Sequence, residues 1–392
     1  MIEARWTLRD VFGPGHVYDP APCFEAPGWL PQDRSALDFL TGAQLVLARD
    51  LPVVCHRAVS TPGILELLEE AGLSRPRRLL RYHDADSYRA LLDGLAGQDV
   101  RLALQHSHPP DAFPPERLWI PRSVLCFVNN KRNLLEFVPE TQAPPRRVVS
   151  GARFRALSAS QLQPPVVVKA AEDLSSGAGY GVRVCRTLQE VEQAQRTFAA
   201  CEAVVVEDFL RFELTWCVQF IIAPDGGIHD AGAAEQVCGP SGAYRGNWLA
   251  ATPSIPREAL ALGREIVDRV AAGGYRGFLG IDIGLGEDGR VLAFDLNGRF
   301  TGSAVALSLF PSLAASDYGF ARWRTWLASG DFPSLERSVR DASKRGILLP
   351  VAAYDPRCGD PSAAPRVSGL LLGRTRDEVL QREKALAEAG LG

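Results

Sequence analysis

Residues 277–300 read GFLGIDIGLGEDGRVLAFDLNGRF. Asp288-Gly289 lies between two apolar runs, a hairpin signal that favours a two-residue type I′ turn. That register pairs Glu287 with Arg290. Counting outward, it sets Asp282 directly opposite Asp295, and Asn297 follows two residues on, on the same face. Ile281, Ile283, Phe294 and Leu296 fall on the other face and are assigned to the core. Like charges directly across a strand pair are destabilising. A divalent cation removes the conflict, and two carboxylates with an amide oxygen are hard ligands suited to Mg²⁺. Arg299 continues the alternation and adds a fork for phosphate or carboxylate.

Upstream, RFELTWCVQFII alternates with a period of two. Phe212, Leu214, Trp216, Val218 and Phe220 form an apolar face; Glu213, Thr215, Cys217 and Gln219 form a polar one, so Glu213 faces a cleft. AVVVEDFL before it is a strand ending in Glu207, Asp208, Phe209 and Leu210. Further back, Asp173 to Val182 (DLSSGAGYGV) is Gly-rich, and successive backbone N–H groups in such a turn make an anion-binding nest. Its flanks, PPVVVKA and VRVC, are strand-like, so it is a hairpin that can fold over phosphates rather than a loop leading into a helix. Lys169 ends the valine run, and a lysine on a buried strand needs an anionic partner. Of the 43 basic residues four are lysine, Lys131, Lys169, Lys344 and Lys384, which marks each as a place where a compact ammonium is wanted. Lys131 falls on a helix expected through Phe137. Between Glu235 and Ala250 the chain is loop-like, and Tyr244, Arg245 and Asn247 are candidates for fixing an amino acid's carboxylate.

The N-terminal third reads differently. Gly13 to Pro31 is Pro/Gly-rich and irregular. From Gln44 strands (QLVLA, PVVCH, RLLRY, VRLALQ) alternate with helices over Pro62–Ala71 and Asp86–Leu95, the order of an open parallel sheet. Capping boxes start helices at Thr187 and Thr375. After Arg345 the order is strand, loop, strand, helix. His106-Ser-His108 precedes Pro109-Pro110 and reads as loop rather than metal site. A net charge of −3 excludes a global basic field, and with it nucleic acid as main partner. No apolar run reaches the ~20 residues of a membrane span. The N-terminus lacks a signal pattern, so a cytoplasmic location is expected. None of the eight cysteines has CxxC spacing, and buried thiols are expected.

In order, Asn130-Lys131, VVVKA, SSGAGYG, VVVEDFL, the downstream Glu213, GFLGIDIG and FDLNGR resemble the ATP-grasp superfamily over roughly Asn130 to Phe310. The resemblance implies an α/β and α+β ATP-grasp fold with an N-terminal open parallel-sheet domain. The divisions are residues 1–120, a lid subdomain 121–210, a large subdomain with the metal site 211–335, and an extension 336–392. ATP and Mg²⁺, as two ions, are the implied cofactors. By motif, Lys131 and Lys169 would contact phosphates, and Ser176, Gly177, Gly179 and Gly181 would close over them. Glu207, Asp208, Phe209 and Leu210 would hold adenine, and Glu213 the ribose. Asp282, Asp295 and Asn297 would bind Mg²⁺. Arg299 would hold an acyl phosphate, acting with Lys169 in catalysis. The sequence departs from the family in carrying Asp where many members have Glu, and NGR for the usual NPR.

The tail resembles that of bacterial amino-acid and peptide ligases of natural-product pathways. The implied activity is a carboxylate–amine ligase, forming an amide through an acyl phosphate with release of ADP and phosphate, on small-molecule amino acids. Two alternatives stay open. One is loading of a carrier-protein thiol, with Arg75, Arg77 and Arg78 as the docking face. The other is a nucleotide-binding scaffold or sensor, against which the intact Lys, Asp, Asn and Arg set counts. A homodimer also stays open.

Overall fold

The computed structural model describes residues 1–24, 29, 33–173, 180–239, 242 and 244–391. Three sheets organise it. The first is parallel, with strands Leu79–Tyr82, Val53–His56, His16–Asp19 and Arg101–Leu104 in that spatial order. Two expectations are corrected here. Gln44–Ala48 is no strand: Ala43–Leu47 is a 3₁₀ turn whose Leu45, Val46 and Leu47 are buried. A short run apolar on all sides fits a buried turn as well as a strand, and periodicity cannot separate them. The missing strand is His16–Asp19, inside the stretch read as irregular. Gly13 and Gly15 both have positive φ and form the turn that launches it. Arg75, Arg77 and Arg78 lead into Leu79–Tyr82, the outer strand, and charged side chains on an edge discourage pairing with other chains.

The second sheet is antiparallel, in the order Arg146–Ser150, Ala203–Asp208, Val166–Ala170, Val182–Cys185. Helix Leu188–Thr197 packs on it and starts with the predicted Thr187/Glu190 capping box. Val168, Val191, Phe154 and Phe198 fill its small core. The helix expected through Lys131 is broken. Arg122–Asn129 is helical, Asn130 is extended, Lys131–Asn133 is a 3₁₀ turn, and Leu134–Phe137 closes the segment. The Asn130 side chain accepts from Arg132 N–H, a local bond that competes with helix continuation.

The third sheet has eight antiparallel strands, beginning Val291–Asn297, Gly277–Gly286, Phe212–Ile222, Ile228–Cys238, Tyr244–Ala250 and Phe320–Leu327. The two strands of the tail, Arg366–Gly373 and Leu348–Tyr354, complete it. Helix Arg257–Ala272 lays Leu262, Ile266 and Val270 against Val218, Phe220, Leu279 and Ile281. Each such side chain taken out of water contributes roughly 1.5–3 kcal/mol. The predicted loop around Tyr244 is strand instead, because it hydrogen-bonds on both edges, to Ile228–Cys238 and Phe320–Leu327. Among the described residues no helix is long and apolar enough to cross a membrane. Six of the eight cysteines are buried as expected, while Cys238 is exposed at a strand end.

Candidate active site

The hairpin of residues 277–297 places Asp282 opposite Asp295, as its sequence predicts, but by another route. The turn has three residues, not two. Gly286 N–H bonds to Arg290 O at 2.8 Å, and Gly289 takes φ +77°. That alone would shift the register by one. A bulge restores it, since Asp282 pairs with Asp295 while Ile283 pairs with Ala293, leaving Phe294 as the extra residue. Ala293 therefore fills the core place assigned to Phe294, which is only half-buried and turns to the cleft. There its ring stacks on Phe212 with centroids 5.2 Å apart. Its carbonyl, outside the ladder, accepts a 2.7 Å hydrogen bond from Lys169 Nζ.

Both lysines converge on this strand. Lys169 is 4% exposed and bonds Glu207 at 2.7 Å as well as Phe294 O. Lys131 Nζ lies 2.5 Å from Asp295 Oδ1 and donates to Leu296 O at 3.2 Å. Glu207 has a second cation, Arg146, at 3.2 Å, and Arg146 also donates to Lys131 O. Lys131, Lys169, Arg146, Phe294 and Asp295 line one cleft. Arg146 is not marked by its sequence, and Phe294 is marked as core. Arg146 sits directly across from Glu207 in the sheet, a pairing that no local pattern encodes.

The two aspartates are unlike. Burial pushes Asp295 up, but Lys131, Lys169 and Arg299 outweigh it and hold the carboxyl below its ordinary range. Burial, then the charge of Asp295, pushes Asp282 up to about 6. Its Oδ1 is buried without a hydrogen bond, although the Cys217 thiol and Gln236 amide lie beside it. Asn297 Nδ2 is 3.4 Å from Asp282 Oδ2, and Arg299 bonds the Asn297 amide oxygen at 2.6 Å. The strain expected of the pair thus rests on Asp282.

The donor set suits a hard cation. Asp282 Oδ1 is an orphaned buried acceptor, and Asn297 Oδ1 keeps a second lone pair. Among the described residues no group of three or more His, Cys, Asp or Glu could hold a metal. Two carboxylates and an amide leave coordination places to phosphate oxygens and water, the usual state of Mg²⁺ beside a nucleotide.

Other candidates scatter. Ser176, Gly177 and Gly179 lie outside the described residues; Gly181 lies within them, its carbonyl accepting from Ala170 N–H at 2.8 Å. Asp208 and Phe209 already donate their N–H groups to Pro145 O and Pro165 O, while Leu210 N–H makes no hydrogen bond among the described residues. Glu213 is exposed at an irregularity of its strand, where Leu214 and Phe212 pair but Glu213 does not. Tyr244 Oη donates to Asn247 Oδ1, and Asp282 is among the charges acting on Tyr244, although two strands separate this strand from the carboxylate hairpin. Arg245 points to solvent. His108 serves structure, its Nε2 2.6 Å from Tyr88 Oη, which donates to Asp19.

Comparison with known proteins bears on the family and the fold. The family model described as the L-aspartate--L-methionine ligase N-terminal domain matches residues 7–126, and that described as L-aspartate--L-methionine ligase, ATP grasp, matches residues 144–297; together they span more than half of the chain. N5-carboxyaminoimidazole ribonucleotide synthetase from Thermus thermophilus is similar in fold, with a TM-score of 0.58 at 13% identity, over 94% of this chain and 98% of that one. Phosphoribosylamine–glycine ligase from Thermotoga maritima gives 0.57 at 14%, over 95% and 96%. L-Amino acid ligase from Bacillus licheniformis gives 0.55 at 14%, over 95% and 97%. Parallel N-terminal sheet, four-stranded antiparallel sheet and large antiparallel sheet are thus the parts of an ATP-grasp fold. ATP-grasp ligases use ATP and Mg²⁺. The chain belongs to the L-aspartate–L-methionine ligase family of the ATP-grasp superfamily, as an ADP-forming ligase that joins amino acids through an amide bond.

Proposed function

We propose that the cleft between the lid sheet and the carboxylate hairpin phosphorylates an amino acid's carboxylate and passes the acyl group to a second amino acid's amine. L-Aspartate and L-methionine, the pair in the family description, are the first substrates to try. The observation that carries the reading is the convergence of Lys131 and Lys169, from two segments, on the strand that bears Asp295. On this reading the lysines hold the nucleotide's phosphates, Glu207 and Arg146 fix Lys169 and the Lys131 backbone, and Leu210 N–H meets the adenine. Phe294 and Phe212 make an aromatic wall of the cleft. Arg299 receives the carboxylate, in the bidentate manner that guanidinium allows. Asp282, Asp295 and Asn297 would hold Mg²⁺, as one ion or two. The ion's chemistry is neutralisation of phosphate oxygens. Tyr244, on which the charge of Asp282 acts, and its hydrogen-bond partner Asn247 border the place of the amine.

The test offers ATP, Mg²⁺ and the twenty proteinogenic amino acids in pairs, and reads ADP, phosphate and product mass. A dipeptide with one ADP per bond is expected, and L-aspartate with L-methionine should be among the productive pairs. Substrate-dependent AMP and pyrophosphate would sink the reading.

A further inference from the structure

Arg299 is anchored from a different part of the chain. Helix Arg122–Asn129 ends on Asn129, which is 4% exposed. Asn129 Nδ2 donates to Leu125 O at 2.9 Å and to Gly298 O at 3.3 Å. Its Oδ1 accepts from Gly298 N–H and from Arg299 Nη1, both at 3.0 Å. Arg299 Nη2 reaches Asn297 Oδ1 at 2.6 Å. Two of the guanidinium's N–H donors are thereby spent on fixed amide oxygens, and the rest of its fork remains for a ligand.

The neighbouring glycine belongs to the same arrangement. A Cβ on Gly298 would lie 2.9 Å from Val128 Cγ1, 3.0 Å from Asn129 Nδ2 and 3.1 Å from Tyr275 Cε2. Proline at 298 would add a clash there and remove the N–H that Asn129 accepts. NGR in place of NPR and the asparagine at 129 therefore answer one another.

We propose that Asn129 is a positioning residue of the ligase reaction, holding Arg299, directly and through the Gly298 backbone, in the orientation that meets the carboxylate to be phosphorylated. The inference rests on Arg299 as the receiver of that carboxylate and deepens the functional reading. An unanchored arginine samples many rotamers, and a displacement of about 1 Å at a positioning group costs on the order of a hundredfold in rate.

The experiment is a double-mutant cycle of Asn129→Leu, Arg299→Ala and the double variant. It follows ADP release on the amino-acid pair that the wild type turns over fastest. MgATP affinity and melting temperature are measured alongside. Asn129→Leu keeps the count and branching of the side-chain heavy atoms, at a larger volume, and removes every side-chain hydrogen bond. It is expected to keep MgATP affinity within about twofold, to lower kcat by roughly 50–100-fold and to raise the KM of the carboxyl donor. The double variant should be no slower than Arg299→Ala, because a residue that acts only through Arg299 has nothing left to contribute. If Asn129→Leu does not fold, Asn129→Ser, too short to reach Arg299, enters the same cycle. Additive losses, or a loss confined to MgATP affinity, overturn the inference and leave the functional reading standing. A wild type that releases no ADP with any pair removes that reading and the inference with it.

Discussion

Asp282 and Asp295 face each other across one hairpin, yet their surroundings are opposite. Asp295 has Lys131 at 2.5 Å, with Lys169 and Arg299 acting on it too. Asp282 has a thiol, two amides and an oxygen with no partner. Strand pairing decides only that the carboxylates meet. Which one bears the strain is decided by elements far away in sequence, the 3₁₀ turn of Lys131 and the strand of Lys169, which bring their cations closer to Asp295 than to Asp282. A divalent ion would therefore satisfy Asp282 outright and share Asp295 with Lys131.

Substitution at Asp295 is expected to have the largest effect. Asp295→Asn removes a carboxylate from the cation site and strands a partly buried Lys131. Turnover should fall by about a thousandfold, and the metal-free protein should lose on the order of 3 kcal/mol. A higher melting temperature for this variant would erase the distinction between the two aspartates. Next is Lys169→Ala. It should weaken ATP binding roughly a hundredfold through lost charge-assisted bonds to phosphate. Lys344→Ala should not change ATP affinity, and equal losses in a binding titration would refute the assignment.

The third prediction has the opposite sign in stability. The folded pKa of Asp282 is raised to about 6, so its ionisation costs stability. That cost grows as the pH climbs from the ordinary carboxylate value of 3.8 to about 6 and is constant above. Asp282→Asn should therefore raise metal-free stability by on the order of 3 kcal/mol at pH 8. The gain should shrink as the pH falls towards 4. Melting curves across that range decide it, and a gain independent of pH would rule out ionisation of a buried carboxylate as its cause. The smallest effect belongs to Asp288→Asn, in the turn. Asp288 pairs with Arg290 in solvent and should leave turnover within about twofold.

Much of this site can be read from the chain, some of it for the wrong reason. The facing aspartates follow from counting out of Asp-Gly, although the count assumes a turn one residue too short and no bulge. Lys169 announces itself because an ammonium at the end of a valine run has to be neutralised. Arg146 does not, because its stretch reads as a connector and its partner Glu207 comes from a strand some sixty residues away in sequence. Asn129 is silent for a related reason: an amide at a helix end reads as an ordinary terminus until Gly298 is seen against it. In the N-terminal sheet His16–Asp19 is hidden by glycines that make its launching turn, and Gln44–Ala48 imitates a strand by being apolar throughout.

The three-residue turn and the bulge at Phe294 also set a parity rule for the hairpin. Each contributes one odd residue, and only their sum restores the phase of the side chains. Straightening the bulge while the three-residue turn stays, so that Asp282 pairs with Phe294, would put Asp295 on the core side and Leu296 in the cleft. The position of the metal-site carboxylate in this strand therefore hangs on one extra residue, Phe294, more than on the length of the turn.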